Sequence, residues 1–309
     1  MIMKIDNALP VYPISPSYVK EELSLDETAN YLEFLHQGGA QVVMTTAGTS
    51  QFNLLSLEEV RKLNVCTSSF KGIKLLGIPA LSTKHLLEEI RFYNDLNISN
   101  TALLLLFPER YYSSSQLIDY FNLAADVSSY PIMIHGNKMR KGYGGEYEYE
   151  KEVLNALATH PNIIGMKEEA SSYGLAEKVC ASTPWVSIVA GGSMKRFWHL
   201  SLMGATTFLS GIGNLFPEIE QHFYEMWKEG NLKECKRIIE EYENPLFDVF
   251  MKVGWHASLR EGLRIMGYVK ENRFPFYSII KKEKVLIADT LSTISNKIRY
   301  DKNLHYRSV

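Results

Sequence analysis

Short, largely apolar runs recur along the first two-thirds of the chain: ALPVYPI (8–14), QVVMTT (41–46), KLLGIPA (74–80), TALLLLFP (101–108), PIMIHG (131–136), IIGMK (163–167), VSIVAGG (186–192) and ATTFLSGI (205–212). They are nearly continuous rather than alternating, which suits parallel strands covered on both faces. Between them lie stretches with helical spacing, such as LDETANYLEFLHQGG and LEEVRKLNVCTSSF. Ser56-Leu57-Glu58-Glu59 fits a capping box, and Ser24 and Ser82 stand where N-caps belong. Eight strands, each followed by a helix, predict a closed (β/α)8 barrel. An open doubly wound sheet is the alternative, but no G-x-G-x-x-G follows the first strand to support dinucleotide binding. Beyond about residue 232 the strand signal stops. LKECKRIIEEYENPLFDVF, HASLREGLRIMG and KEKVLIADTLSTISNKI read as further helices. Residues 1–231 are therefore expected to form the barrel, and 232–309 a C-terminal helical extension packed on it.

Composition narrows the function classes. The chain has 309 residues, 46% hydrophobic and 22% charged, an ordinary globular balance. A net charge of −2 leaves no basic field to hold nucleic acid or an anionic membrane. The three cysteines, Cys66, Cys180 and Cys235, have no C-x-x-C spacing, which argues against a disulfide framework or a thiolate zinc site. The N-terminus lacks a basic leader followed by an apolar core, and the longest apolar run, Ala102 to Phe107, falls far short of the roughly 20 residues that span a bilayer. A cytoplasmic location is expected.

In such barrels reactive groups project from the C-terminal ends of the strands. That rule yields a short list of segments: Thr45 to Gln51, Pro108 to Tyr112, His135 to Gly142, Lys167 to Glu169, Gly191 to Ser193 and Gly211 to Asn214. Lys167 stands out, because it ends the run Ile163-Ile164-Gly165-Met166. A lysine seldom enters an apolar place without a partner or a task. Desolvation there disfavours the ammonium, which is one way an amine becomes a nucleophile. The plainer alternative, weighted equally on spacing alone, is a lysine paired with Glu168 or Glu169 at the barrel rim. The two glutamates themselves read more readily as salt-bridge or helix-entry residues than as acids. No two of the eight histidines lie closer in sequence than His199 and His222, so there is no local metal motif, and G-x-x-x-x-G-K-[ST] and G-x-S-x-G are both absent. The glycines Gly142, Gly144 and Gly145 read as a flexible turn.

Around these residues the chain resembles the dihydrodipicolinate synthase and N-acetylneuraminate lyase family of class I aldolases, over nearly its whole length. Gly165-Met166-Lys167-Glu168 is similar to the family's G-[IM]-K-[DE] segment, and Ala47 to Ser56, followed by Glu58-Glu59, to its G-[ST]-T-G-E-x-x-x-L-[ST] loop. Gly204 to Ser210 and Asn214 to Pro217 look like its strand 8 region, and Ala257 to Gly267 with Arg273-Phe274-Pro275 like its C-terminal helices. The resemblance implies a TIM barrel in which Lys167 forms the imine. Gly48 and Thr49 match the pair that holds the substrate carboxylate. Arg140, with Gly142 two residues on, matches an R-x-G that binds a second carboxylate in some members. Gly192 and Leu209 match positions lining the pyruvoyl end. No cofactor or metal is implied, and a homo-oligomer is expected, a tetramer or a dimer.

The departures are as informative. The family's strand 5 ends in Y-N-x-P, whose tyrosine shuttles protons; here Ile134-His135-Gly136-Asn137-Lys138 puts His135 in its place. The loop glutamate is Gln51, its second glycine is Ser50, and a residue that is often Ser or Thr is Gly48. Where the synthases send a tyrosine across a dimer interface this chain reads Phe107-Pro108-Glu109, with Tyr111 and Tyr112 nearby. These changes argue against dihydrodipicolinate synthase itself. An imidazole suits proton transfer near neutral pH better than a phenol does. His135 is expected to carry that task, with water or Tyr143 as the alternative.

The leading expectation is a lyase that cleaves or condenses a 2-oxo acid and an aldehyde through an imine on Lys167. An aldolase is preferred to a dehydratase of a sugar-derived 2-oxo acid working through the same imine. The rival is a non-catalytic family member that binds an oxo acid as a sensor or scaffold. Losing the tyrosine and the loop glutamate favours it, while retaining Lys167 and Arg140 opposes it.

Overall fold

Parallel pairing joins the eight apolar runs in the order in which they occur along the chain. The strands are β1 (Val11–Pro13), β2 (Val42–Met44), β3 (Ile73–Ile78), β4 (Thr101–Leu106), β5 (Ile132–Gly136), β6 (Ile163–Glu168), β7 (Ser187–Ala190) and β8 (Thr207–Phe208). The sheet closes on itself where Val11 bridges Leu209 in parallel and the Ser210 N–H donates to the Val11 carbonyl at 2.7 Å. The chain is thus a (β/α)8 barrel, described in this computed structural model over residues 3–304 except 109, 112, 137–138, 142–145, 148–150, 171, 183–184, 186 and 274–278.

The strands are apolar because both faces are covered. All six residues of β4 are buried, and Leu103, Leu104 and Leu105 have no exposed surface. Each such leucine contributes about 2 kcal/mol relative to an exposed one. The helices are α1 (Leu25–Gln37), α2 (Leu57–Ser68), α3 (Thr83–Leu96), α4 (Ser114–Val127), α5 (Lys151–Leu157), α6 (Tyr173–Ser182), α7 (Met194–Ser201) and α8 (Pro217–Lys228). Their entries follow local sequence. Ser24 caps α1, Ser82 caps α3, and Ser56 with Glu59 forms the reciprocal capping box that opens α2.

The C-terminal segment supplies α9 (Leu232–Ile238), a π-helical turn (Ile239–Glu243), α10 (Asn244–Val253), α11 (Trp255–Ile265) and α12 (Lys281–Tyr300). Two buried side chains tie it to the barrel. The Glu243 carboxylate accepts the Met194 and Lys195 backbone N–H groups at 2.7 and 2.8 Å, which satisfies the start of α7. Arg260 of α11 donates to Ser15 Oγ at 3.0 Å and to the Pro16 carbonyl, beside the end of β1, and also to Asn272 Oδ1 and the Glu271 carbonyl. That contact fixes how α11 lies over the barrel mouth.

Candidate active site

The position of Lys167 depends on a one-residue irregularity. Pairing between β5 and β6 begins with Ile163 opposite Ile132, but Gly165 stands opposite Met133, so Ile164 is an extra residue. From there Met166 faces Ile134 and Lys167 faces His135. In an uninterrupted register Met166 would have met His135, and every later side chain would have changed face relative to β5. The bulge therefore sets the lysine and the histidine side by side.

Both are buried, with 2% and 1% of their surface exposed. Lys167 Nζ lies 3.0 Å from His135 Nε2 and 3.1 Å from Thr46 Oγ1, and forms an ion pair with Glu169. The other Glu169 oxygen, Oε2, is 2.8 Å from the same His135 Nε2. One ring nitrogen thus faces a donor and an acceptor together, while His135 Nδ1 is buried with no hydrogen-bond partner among the described residues. Burial and the Lys167 charge push the His135 imidazole below its ordinary value, with Glu169 pulling the other way, so at neutral pH it carries one ring proton. Burial by itself would raise the Glu169 carboxyl, but Lys167 and His135 hold it well below the usual carboxylate range. Glu169 faces the mouth, its side chain 38% exposed.

Glu169 reaches this place because position 191 has no side chain. A Cβ on Gly191 would lie 2.6 Å from Glu169 Cγ and 2.5 Å from the Glu168 carbonyl. Glu168 turns away instead. It is buried in an ion pair with Arg196, at 2.8 Å, and burial raises its carboxyl while Arg196 lowers it. Both glutamates therefore engage in ion pairs, as one reading of the sequence expects. Only Glu169 joins the lysine, and its contact with His135 was not expected.

The turn after β2 forms the facing wall. Ser50 Oγ accepts the Thr46 N–H at 3.0 Å and donates to the Ile14 carbonyl at 2.6 Å, so the serine in place of the second glycine pins the turn to β1. Gln51 adopts a left-handed conformation, and its Oε1 accepts the Tyr18 hydroxyl at 2.9 Å. An amide oxygen serves as acceptor there as a carboxylate would, so replacing the loop glutamate leaves the turn anchored. Thr49 is buried on this turn. Gly48 lies directly beneath the His256 imidazole of α11.

Of the remaining expected residues, Leu209 is buried where β8 meets β1, and Gly192 follows Gly191 at the end of β7. Arg140 lies on the short strand Met139–Lys141, which pairs with Arg110–Tyr111 and Glu146–Tyr147 in a sheet built from the loops after β4 and β5. The Arg140 and Tyr111 side chains, and residues Glu109, Tyr112, Gly142, Tyr143, Phe274 and Pro275 altogether, lie outside the described residues. Three contributors have no distinguishing signal in the sequence. Thr46 and Gly191 sit in strand-end segments without a residue type that marks a role, and nothing in the chain order links His256 of α11 to β2.

A closed parallel barrel with a buried lysine near the end of its sixth strand, its amine touching an imidazole and a carboxylate, is the frame of a lyase of the class I aldolase type. The chain belongs to the dihydrodipicolinate synthetase family, whose model matches residues 9–294. It is 26% identical over 168 residues to a probable mitochondrial 4-hydroxy-2-oxoglutarate aldolase of Emericella nidulans, a match covering 53% of this chain and 52% of that one, so about half of that relative's length. It is 20% identical to a probable 5-dehydro-4-deoxyglucarate dehydratase of Allorhizobium ampelinum, over 90% of this chain and 92% of the relative. Among solved structures, the 4-hydroxy-tetrahydrodipicolinate synthase of Methylacidiphilum fumariolicum SolV superposes with a TM-score of 0.82 at 20% identity, covering 96% of this chain and 98% of that one. A prophage protein of the family from E. coli K12, solved in complex with pyruvate, gives 0.80 at 16% identity, covering 93% and 98%.

Proposed function

We propose that this protein is an aldolase that processes a pyruvate-type 2-oxo acid through an imine on Lys167. The observation that carries the reading is the shared contact of His135 Nε2 with Lys167 Nζ and Glu169. For attack, the amine must shed a proton, and both groups that could take it are already in contact. The free amine adds to the C2 carbonyl to give a carbinolamine. A proton returned from the His135–Glu169 pair converts the C2 hydroxyl to water, which leaves the protonated imine. A 4-hydroxy substrate then loses its hydroxyl proton to the pair, the C3–C4 bond breaks, and the electrons pass into the imine. An aldehyde departs and an enamine remains. Protonation at C3 and hydrolysis by water release the 2-oxo acid and restore Lys167.

Gly48 and Thr49 are assigned to the carboxylate, Gly192 and Leu209 to the wall beside the pyruvoyl group, and Arg140 to a second carboxylate where the substrate has one. The pyruvate complex of the E. coli relative supports this substrate class, and the aldolase name of the Emericella relative supports the cleavage step. The Allorhizobium relative motivates a second reading, in which the enamine expels a hydroxyl instead of forming from C–C cleavage. The test is deuterium exchange at the pyruvate methyl group in D2O. Exchange requires the enamine, so the wild-type protein should accelerate it and Lys167→Ala should not. Equal exchange by the two proteins would refute the imine.

A further inference from the structure

The place that a side chain at position 48 would occupy is filled from another element. A Cβ on Gly48 would stand 2.5 Å from His256 Cε1 and 2.6 Å from Nε2, with Nδ1 at 3.5 Å. Any residue larger than glycine must therefore move the imidazole. The ring is not a stray surface group. Arg260, four residues further along the same face of α11, is 2% exposed and bonded to Ser15 and Pro16, which holds this turn of the helix over the barrel mouth. His256 keeps solvent access at the mouth, while neither ring nitrogen makes a hydrogen bond to a described residue. Crowding by the protein lowers its proton affinity. Glu169 raises it and Lys167 lowers it, which places the ring within electrostatic reach of both.

We infer that His256 is a substrate-binding residue, which takes the place of the missing side chain at position 48 and donates an imidazole N–H to a carboxylate oxygen of the 2-oxo acid held at Lys167. Thr46 touches Lys167 Nζ, and Gly48 is two residues further along the same turn. An acid whose C2 meets the amine therefore presents its carboxylate to this turn and to the ring above it. The inference rests on the imine reading for its substrate class. It goes beyond that reading by naming a binding group on the C-terminal helices and by explaining why position 48 is glycine.

The experiment is a mutant cycle read by borohydride trapping of pyruvate, with the half-saturating pyruvate concentration as the variable. His256→Ala should raise it roughly 10- to 100-fold, the usual cost of losing a hydrogen bond to a charged group, and leave the trapped fraction at saturation intact. His256→Asn, which keeps an N–H donor, should recover part of the loss. Gly48→Ala should weaken binding when His256 is present and do much less in the His256→Ala background, because the space is then vacant. An unchanged half-saturating concentration in His256→Ala, or strictly additive effects, would overturn the assignment. The His256 Cε1–H NMR signal in histidine-labelled protein separates the two claims. Trapping at Lys167 with no movement of that signal on adding pyruvate overturns the His256 role alone. Movement of the signal without any trapping overturns the imine and keeps the binding role. Neither response overturns both.

Discussion

His135 Nε2 cannot satisfy both neighbours at once. If it accepts from Lys167 it has no proton for Glu169, and if it donates to Glu169 it meets the amine without an acceptor. Moving one proton exchanges these two states, which is the property a relay between amine and substrate needs. His135→Phe should therefore lower the rate of pyruvate methyl exchange by something on the order of 10²–10⁴-fold while the protein still folds. His135→Tyr should retain more activity than His135→Phe. Full exchange in a normally folded His135→Phe protein would transfer the role to Glu169 or water. A second consequence concerns acid stability. Because the folded imidazole lies below its ordinary value, the unfolded chain takes up the proton first as pH falls. Stability from this site is thus complete above about pH 6.5 and is lost as pH falls through the lowered folded value. Melting temperatures measured from pH 7 downward should fall less steeply in His135→Phe than in the wild-type protein.

At the scale of elements, the sequence carried the strands and little of their alignment. Six of the strands fall within their apolar runs, and β3 and β6 each overrun theirs by one residue, at Ile73 and at Glu168, because parallel strands buried on both faces need continuous apolar residues. The Ser24, Ser56 and Ser82 caps were equally legible, being local chemistry. The Ile164 bulge was not, since nothing within IIGMK distinguishes a bulged strand from a regular one, and register is decided between strands. The same holds for Glu169, whose approach needs the bare backbone of Gly191 just beyond the neighbouring strand β7. Gly191→Ala tests that dependence. Its Cβ would press on the Glu168 carbonyl, a backbone atom with little freedom, and on Glu169 Cγ. The variant should lose about 1–3 kcal/mol of stability and slow methyl exchange well beyond the effect of that loss. Normal exchange kinetics in the Gly191→Ala protein would show that the position of Glu169 is immaterial.

At the scale of the whole molecule, the barrel and the C-terminal helices act together at one mouth. β6 and β5 bring the Lys167 amine and the His135 imidazole together, the turn after β2 forms the facing wall, and α11 covers it. No described helix is long and apolar enough to cross a membrane. We propose that the protein works as a homo-oligomer, with the loops after β4 and β5 at or near an interface. Light scattering should then return a multiple of the 35.3 kDa chain mass at micromolar concentration, and a single chain mass would contradict it. The proposed imine on Lys167 is open to one direct measurement. Wild-type protein incubated with pyruvate and borohydride should gain one reduced pyruvoyl unit, located by peptide mass spectrometry on Lys167, whereas unchanged mass with pyruvate and with longer 2-oxo acids would rule the imine out.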